Sequence, residues 1–226
     1  PLKRFISKYS QLSLPIGFKG RNWLVAMKSD LKSELPIIAS YFDSPNRKAL
    51  LKNSKNWEFV GKSCLTENSS DSSDLLELAT RTDFKNFLTE DILVKVDRTS
   101  MLNSLEVRAP FLDHRVIEYA FLNIPSHLKA SSNSNKIFLK KIAKNILPDK
   151  FNFNRKKGFT IPLSKWLQTG SYRTLFHDVL NQKDDLFEEK MIKKMIKQND
   201  AGYNNSESLF SLVLFKLWMK NYNITL

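Results

Sequence analysis

The sequence has too little glycine to cradle a phosphate. Six glycines, at 17, 20, 61, 158, 170 and 202, are scattered over 226 residues. Neither a G-x-G-x-x-G fingerprint nor a Walker-type loop can be built from them. Any nucleotide-phosphate cradle of a longer protein is therefore expected outside this sequence. Cysteine is nearly absent too. The lone Cys64 excludes an internal disulfide and a cysteine zinc cluster, and it fits a reduced, cytosolic chain. No apolar run reaches the roughly 18 residues of a membrane span, and no basic–apolar–small signal segment opens the sequence. A cytoplasmic protein with no membrane partner is expected. The three histidines, His114, His127 and His177, stand at no metal-ligand spacing from one another or from cysteine. Each reads as structural, and no metal site is expected. The first residue is Pro1 rather than Met, so the sequence reads as a piece of something longer or a trimmed chain.

What is present is globular in character: 42% hydrophobic and 26% charged residues, with sixteen Phe that argue against disorder. Thirty-six Lys and Arg against 23 Asp and Glu leave a formal charge of +13. That excess suits an anionic partner such as nucleic acid, a nucleotide, phosphate or an acidic neighbouring surface. Abundant Asn, Lys, Ile and Ser are also what A- and T-biased coding produces, so a solvated surface accounts for the charge equally well.

The periodicity predicts a mainly α chain in two parts. Residues 1–73 form a variable, partly helical segment, irregular in period and broken by Pro15, Pro36 and Pro45. Short helices are expected at 22–29 and 47–53, and a loop at 61–73. Residues 74–226 are the organised helical part. Asp74 with Glu77 fits a helix start, and a second helix is expected from Thr89 to about residue 103. Further helices follow at 114–122, 135–146, 163–167, 172–180 and 187–197. The last, 206–220, is apolar on nearly all sides and too short for a membrane, so a buried core helix is expected.

The chemistry-bearing stretch runs from Asp91 to Pro162, where charges sit among Leu, Val and Phe. Charges partly buried in such company cost several kcal/mol each unless paired. Asp97 would lie close to the apolar stripe of its helix. Glu106 and Arg108 share one side if their segment is extended. Asp113 can cap the helix starting near His114. These groups read either as ion pairs and caps bracing the helices or as the polar wall of a substrate cleft. The run from Lys136 to Lys157 carries eight Lys or Arg against one acid, Asp149. Within it Lys156-Lys157-Gly158 combines adjacent cations with a residue that lets the backbone turn sharply. A compact ammonium there suits a phosphate oxygen or a developing anion. Nucleic-acid binding is the alternative for clustered lysines, although aromatics interleaved for base stacking are not evident.

Two long motifs go beyond composition. Leu93-Val-Lys-Val-Asp-Arg-Thr-Ser-Met101 with Ser104-Leu-Glu-Val-Arg-Ala-Pro-Phe-Leu-Asp-His-Arg115 resembles the glutamine-hydrolysing asparagine synthetases. Leu147-Pro-Asp149 followed by Arg155-Lys-Lys-Gly-Phe-Thr-Ile-Pro-Leu-Ser-Lys-Trp-Leu167 resembles the same family in the same order. The likeness covers roughly residues 74–222. It implies the helical C-terminal portion of an α/β pyrophosphatase-loop synthetase domain, using ATP and Mg²⁺ to adenylate a carboxylate that ammonia then amidates. The family's S-G-G-x-D-S and S-G-E-G-x-D-E segments do not occur here. ATP phosphates and Mg²⁺ would thus be held mainly by residues outside the chain, and the partners implied are the N-terminal glutaminase and phosphate-loop portions, with small-molecule substrates. A second copy of the chain is also among the partners considered. Residue by residue, the resemblance places the charge-stabilising catalytic Lys on Lys157, with Lys156 and Gly158 beside it as phosphate-binding candidates. It places Asp97, Arg98, Glu106, Arg108 and Asp113 at signature positions that line or brace the cleft. Ala109 stands where the family often has Val. A family member acting on another carboxylate, such as a sugar acid or a β-lactam precursor, remains an alternative.

Overall fold

A computed structural model describes residues 2–27, 40–53, 74–153, 155, 158 and 161–224. The described chain is mainly helical. In order it forms α1 (Leu2–Ser13), α2 (Arg21–Ala26), α3 (Ser44–Leu50), α4 (Leu75–Asp83), a π-helix (Phe84–Leu93), α5 (Val94–Met101), a 3-10 turn (Pro110–Leu112), α6 (His114–Asn123), α7 (Ser126–Lys129), α8 (Ile137–Lys144), α9 (Leu163–Gln168), α10 (Ser171–Asn181), α11 (Glu189–Asp200) and α12 (Ser206–Asn221). Its contacts divide it into two units, Pro1–Lys62 with Thr160–Leu226, and Ser63–Phe159. The expected loop at 61–73 lies outside the described residues.

The first unit holds the main core. Phe176, Val179 and Leu180 of α10, Ile192, Met195 and Ile196 of α11, and Leu209, Leu212 and Val213 of α12 pack together with Leu50, Leu167 and Phe187. The i, i+3, i+4 spacing of each trio puts it on one helix face. Backbone bonds from Lys52 to the Leu186 carbonyl and from Glu188 to the Leu50 carbonyl, at 2.9 and 2.8 Å, tie the end of α3 to the turn before α11. Two features depart from the sequence expectation. The irregular stretch 1–60 contains the twelve-residue α1, which buries Ser7 and Ser10 and exposes Leu2, Phe5 and Tyr9. Its Ser7 hydroxyl donates to the Val25 carbonyl at 2.8 Å, so small polar residues are what let α1 approach α2. Helix α12, expected to be buried all round, hides one face and exposes Leu214, Leu217 and Trp218 on the other.

That buried face of α12 carries a charge. The Lys216 ammonium donates to the carbonyls of Leu180 (3.2 Å) and Gln182 (2.7 Å) and pairs with Asp184 at 2.7 Å. All three of its protons are thereby satisfied. Burial pulls the Asp184 carboxyl upward, but the Lys216 ammonium and the Phe187 and Leu186 amides outweigh it, holding the group below the usual carboxylate range.

In the second unit α4, the π-helix and α5 are continuous, with no break at Thr89. The Thr89 hydroxyl caps nothing there; it donates back to the Lys85 carbonyl. Thr82 and Asn86 likewise donate to carbonyls four residues back, at 2.8 and 2.9 Å. Such back-bonds slightly destabilise and bend a helix, and they recur at Thr80 and Thr99 within α4 and α5. Asp74 caps α4 by accepting from Leu76 and Glu77 at 2.9 and 3.2 Å. The π-helix meets α6 through Phe84 and Phe121, edge to face at 5.5 Å. Cations of Arg81 and Lys129 lie about the same Phe121 ring, at 5.0 and 5.2 Å from its centre.

Candidate functional site

The signature stretch begins at the last residue of the π-helix, Leu93, and runs through α5, whose first turn holds Asp97 and last turn Arg98. Both side chains are exposed, and neither forms an ion pair among the described residues. After Met101 the helix closes through Ser104, held in the left-handed region at φ 56°. Leu105 N–H returns to the Ser100 carbonyl at 3.0 Å, the long-range bond of a Schellman-type ending. The chain then runs non-helically to Ala109, which is extended at φ −111°, ψ 97°. Glu106 and Arg108 pair across one intervening residue, with side chains 68% and 87% exposed.

Asp113 caps α6. Its carboxylate accepts the Arg115 N–H at 2.9 Å and both arms of the Arg115 guanidinium at 2.9 and 2.8 Å. The guanidinium first, and the amide second, hold the carboxyl down at about 2, and the same contact raises the guanidinium. His114 and His127 lie at the start of α6 and within α7, and His177 lies within α10. Among the described residues no three His, Cys, Asp or Glu gather as a metal site would require.

Lys156 and Lys157 fall outside the described residues, and Gly158 is exposed and non-helical. The structure therefore joins Glu106 to Arg108 and Asp113 to Arg115, each a pair local in sequence. The expected partial burial of these charges does not hold. Among the described residues of this unit only Leu78 and Thr82 are buried, so no dry interior surrounds the charges.

The structure adds a cleft the sequence reading missed. Ile137, Lys140, Lys141 and Lys144, on one face of α8, line a cavity of ≈ 500 Å³ with Phe151, Asn152 and Phe153. The two phenyl rings meet edge to face at 5.0 Å. No carboxylate pairs with these three lysines among the described residues. The i, i+3, i+4, i+7 lysine and isoleucine spacing was the available signal; the fold-back of Phe151 and Phe153 left none.

The sequence model for asparagine synthase matches residues 17–220. This chain belongs to the asparagine synthase family. It is 29% identical over 210 residues to asparagine synthetase [glutamine-hydrolyzing] 1 of Bacillus subtilis (strain 168), covering 91% of this chain and 33% of that protein. It is 27% identical over 222 residues to a putative asparagine synthetase [glutamine-hydrolyzing] of Mycobacterium tuberculosis (strain ATCC 25618 / H37Rv), covering 96% and 34%. The asparagine synthetase [glutamine-hydrolyzing] of Gallus gallus matches at 30% over 106 residues, 45% of this chain and 18% of the chicken protein. No solved structure matches the chain significantly. The chain spans about a third of the length of the first two of these relatives.

Proposed function

We propose that the chain is the helical C-terminal portion of an ATP-dependent amidotransferase of the asparagine synthetase type. In the proposed reaction a carboxylate oxygen of aspartate attacks the α-phosphorus of ATP and pyrophosphate leaves. Glutamine-derived ammonia then attacks the acyl carbon, AMP departs with the acyl oxygen, and asparagine forms. The observation that carries this reading is the family match over residues 17–220 together with both motifs.

Lys157 is assigned to stabilise the charge that grows as pyrophosphate leaves, since a fixed ammonium interacts more strongly with the transition state than with ATP. Asp97, Arg98, Glu106, Arg108 and Asp113 are assigned to line or brace the substrate cleft, with Asp113 fixing the start of α6. The described residues do not fit a Mg²⁺ centre, because no three carboxylates or imidazoles converge among them. Mg²⁺ and the ATP-phosphate cradle are assigned to the portion beyond this chain. Alone, the 226 residues are expected to lack synthetase activity.

In the full-length enzyme, Lys157→Ala is expected to slow ATP–pyrophosphate exchange roughly 100-fold, the scale of losing one charge-stabilising donor. Glutaminase turnover should stay unchanged, and Lys157→Arg should restore part of the loss. Equal loss of both activities would instead assign Lys157 to folding. A second reading, a nucleic-acid-binding domain, is favoured by the basic α8 cleft with its two Phe. It requires duplex binding that weakens steeply between about 50 and 200 mM salt.

A further inference from the structure

Helix α8 carries its cations differently from the earlier helices of the second unit. In α4 Arg81 meets Glu77, and Lys95 of α5 meets Asp91 of the π-helix, each one turn away. The α8 sequence, Ile-Phe-Leu-Lys-Lys-Ile-Ala-Lys, contains no acid. Lys140, Lys141 and Lys144 form no ion pair among the described residues. Their i, i+3 and i, i+4 spacings make them neighbours on the helix surface, where like charges repel. The Lys140 ammonium reaches the Asn135 Oδ1 only at 3.5 Å.

Part of the same cleft is aromatic. The Leu147 N–H donates to the Ala143 carbonyl and the Phe151 N–H to the Pro148 carbonyl, both at 2.8 Å, which turns the chain back after α8. Phe151 and Phe153 thereby join Ile137 and the three lysines around the cavity of ≈ 500 Å³, a size within the usual range of small-molecule sites. The rings meet edge to face, and Phe151 keeps half of its surface open.

These two features together select the ligand. Three ammonium groups exceed what one carboxylate balances, whereas a phosphate monoester carries about −1.5 to −2 charge near neutral pH, and a diphosphate more. An open phenyl ring rewards a flat partner by stacking, whichever base supplies it. Inorganic phosphate would leave the rings unused, and a fatty acid most of the cations. A duplex keeps its bases inside the stack and offers only its phosphates, so the rings would again have no partner. We propose that the α8 cleft binds a nucleoside diphosphate, its phosphates on Lys140, Lys141 and Lys144 and its base against Phe151 and Phe153. Every one of these residues belongs to this chain, so binding here does not depend on the amidotransferase reading.

The first unit supplies a matched control. Lys48, Lys52, Lys190 and Lys194 line a cleft of ≈ 550 Å³ whose described lining includes no aromatic residue. Calorimetric titration of the full 226-residue chain at low salt compares ADP, pyrophosphate and adenosine, and ADP should bind most tightly. Lys140→Gln with Lys144→Gln should weaken ADP and pyrophosphate together, each on the order of fivefold. Phe151→Leu should weaken ADP about tenfold, the scale of one base–aromatic stack, and leave pyrophosphate unchanged. Lys190→Gln with Lys194→Gln, which removes the same charge from α11, should leave ADP affinity unchanged. Circular dichroism checks that every variant remains helical. The proposal is overturned by no ADP binding in the millimolar range, by ADP binding no tighter than pyrophosphate, or by Phe151→Leu failing to separate the two. Equal loss of ADP affinity from the α11 variant also overturns it, since charge alone would then suffice. So does a DNA duplex that displaces ADP and is weakened by the α8 lysine variant but not by Phe151→Leu, a result that would favour the nucleic-acid reading.

Discussion

Lys216 and Asp184 allow the sharpest test of how the helical core is held. The Lys216 side chain is 5% exposed and that of Asp184 20%, so the two charges sit in unequal surroundings. Asp184→Ala strands an ammonium in the core with two carbonyls for company, a perturbation that costs about 3–5 kcal/mol when one partner of a buried pair is removed. It also frees the Leu186 and Phe187 amides that Asp184 accepts at 2.9 and 2.6 Å. Lys216→Met keeps the apolar stem and leaves a carboxylate that reaches water and still accepts those two amides. Its main loss is the donor to the Leu180 and Gln182 carbonyls, about 1–3 kcal/mol. Urea unfolding followed by helical circular dichroism should therefore rank Asp184→Ala as clearly worse than Lys216→Met. A Tm drop on the order of 10 °C is expected for the former. The double variant Lys216→Met, Asp184→Asn should fall short of the sum of its parts, because no buried charge is left unpaired. The pair also sets a pH dependence. A carboxyl held low contributes stability that is present above its unfolded value, about 3.9, and is lost as pH falls through the folded value beneath it. An Asp184→Ala cost below about 1 kcal/mol, or a Lys216→Met cost above it in rank, would refute this account.

Gly17 is a second point of tight fit. A Cβ there would lie 2.5 Å from the Asn205 Oδ1 and 2.6 Å from the Asn204 backbone, so Gly17→Ala should cost about 1–3 kcal/mol in urea unfolding through forced backbone movement. Asp113→Asn should leave a neutral cap on α6 without the Arg115 pair. The stability difference from the parent chain should be constant above about pH 4 and vanish as the Asp113 carboxyl is protonated near 2, followed by acid unfolding at fixed ionic strength.

Helix α11 was legible from its sequence because Met191, Ile192, Met195 and Ile196 recur at helical spacing with Lys190, Lys193, Lys194 and Lys197 opposite. The same rule hid α1, whose packed face is serine and whose rings point outward. Hydrophobic periodicity reports what is usually buried, and a close helix crossing through small side chains breaks that premise. Thr89 suggested a helix start for a related reason: a Thr side chain bonds to nearby backbone whether it caps a helix or lies inside one. Lys216 stood as one charge in an apolar run, and nothing local announced the carboxylate 32 positions upstream. At the candidate site, the motifs pointed to the family while the exposure of Glu106 and Arg108 was invisible, since burial depends on what else the chain meets.

The tie between Leu50 and Phe187 also has a bearing on synthesis at the ribosome. The two residues belong to one core but are separated by the whole second unit. At about 5–20 residues per second of translation, the N-terminal helices emerge and wait roughly 7–27 seconds for the stretch of chain that completes them. During that interval Leu50 lacks the later residues that bury it, so α3 is open to solvent, to holdase chaperones and to proteases until they arrive.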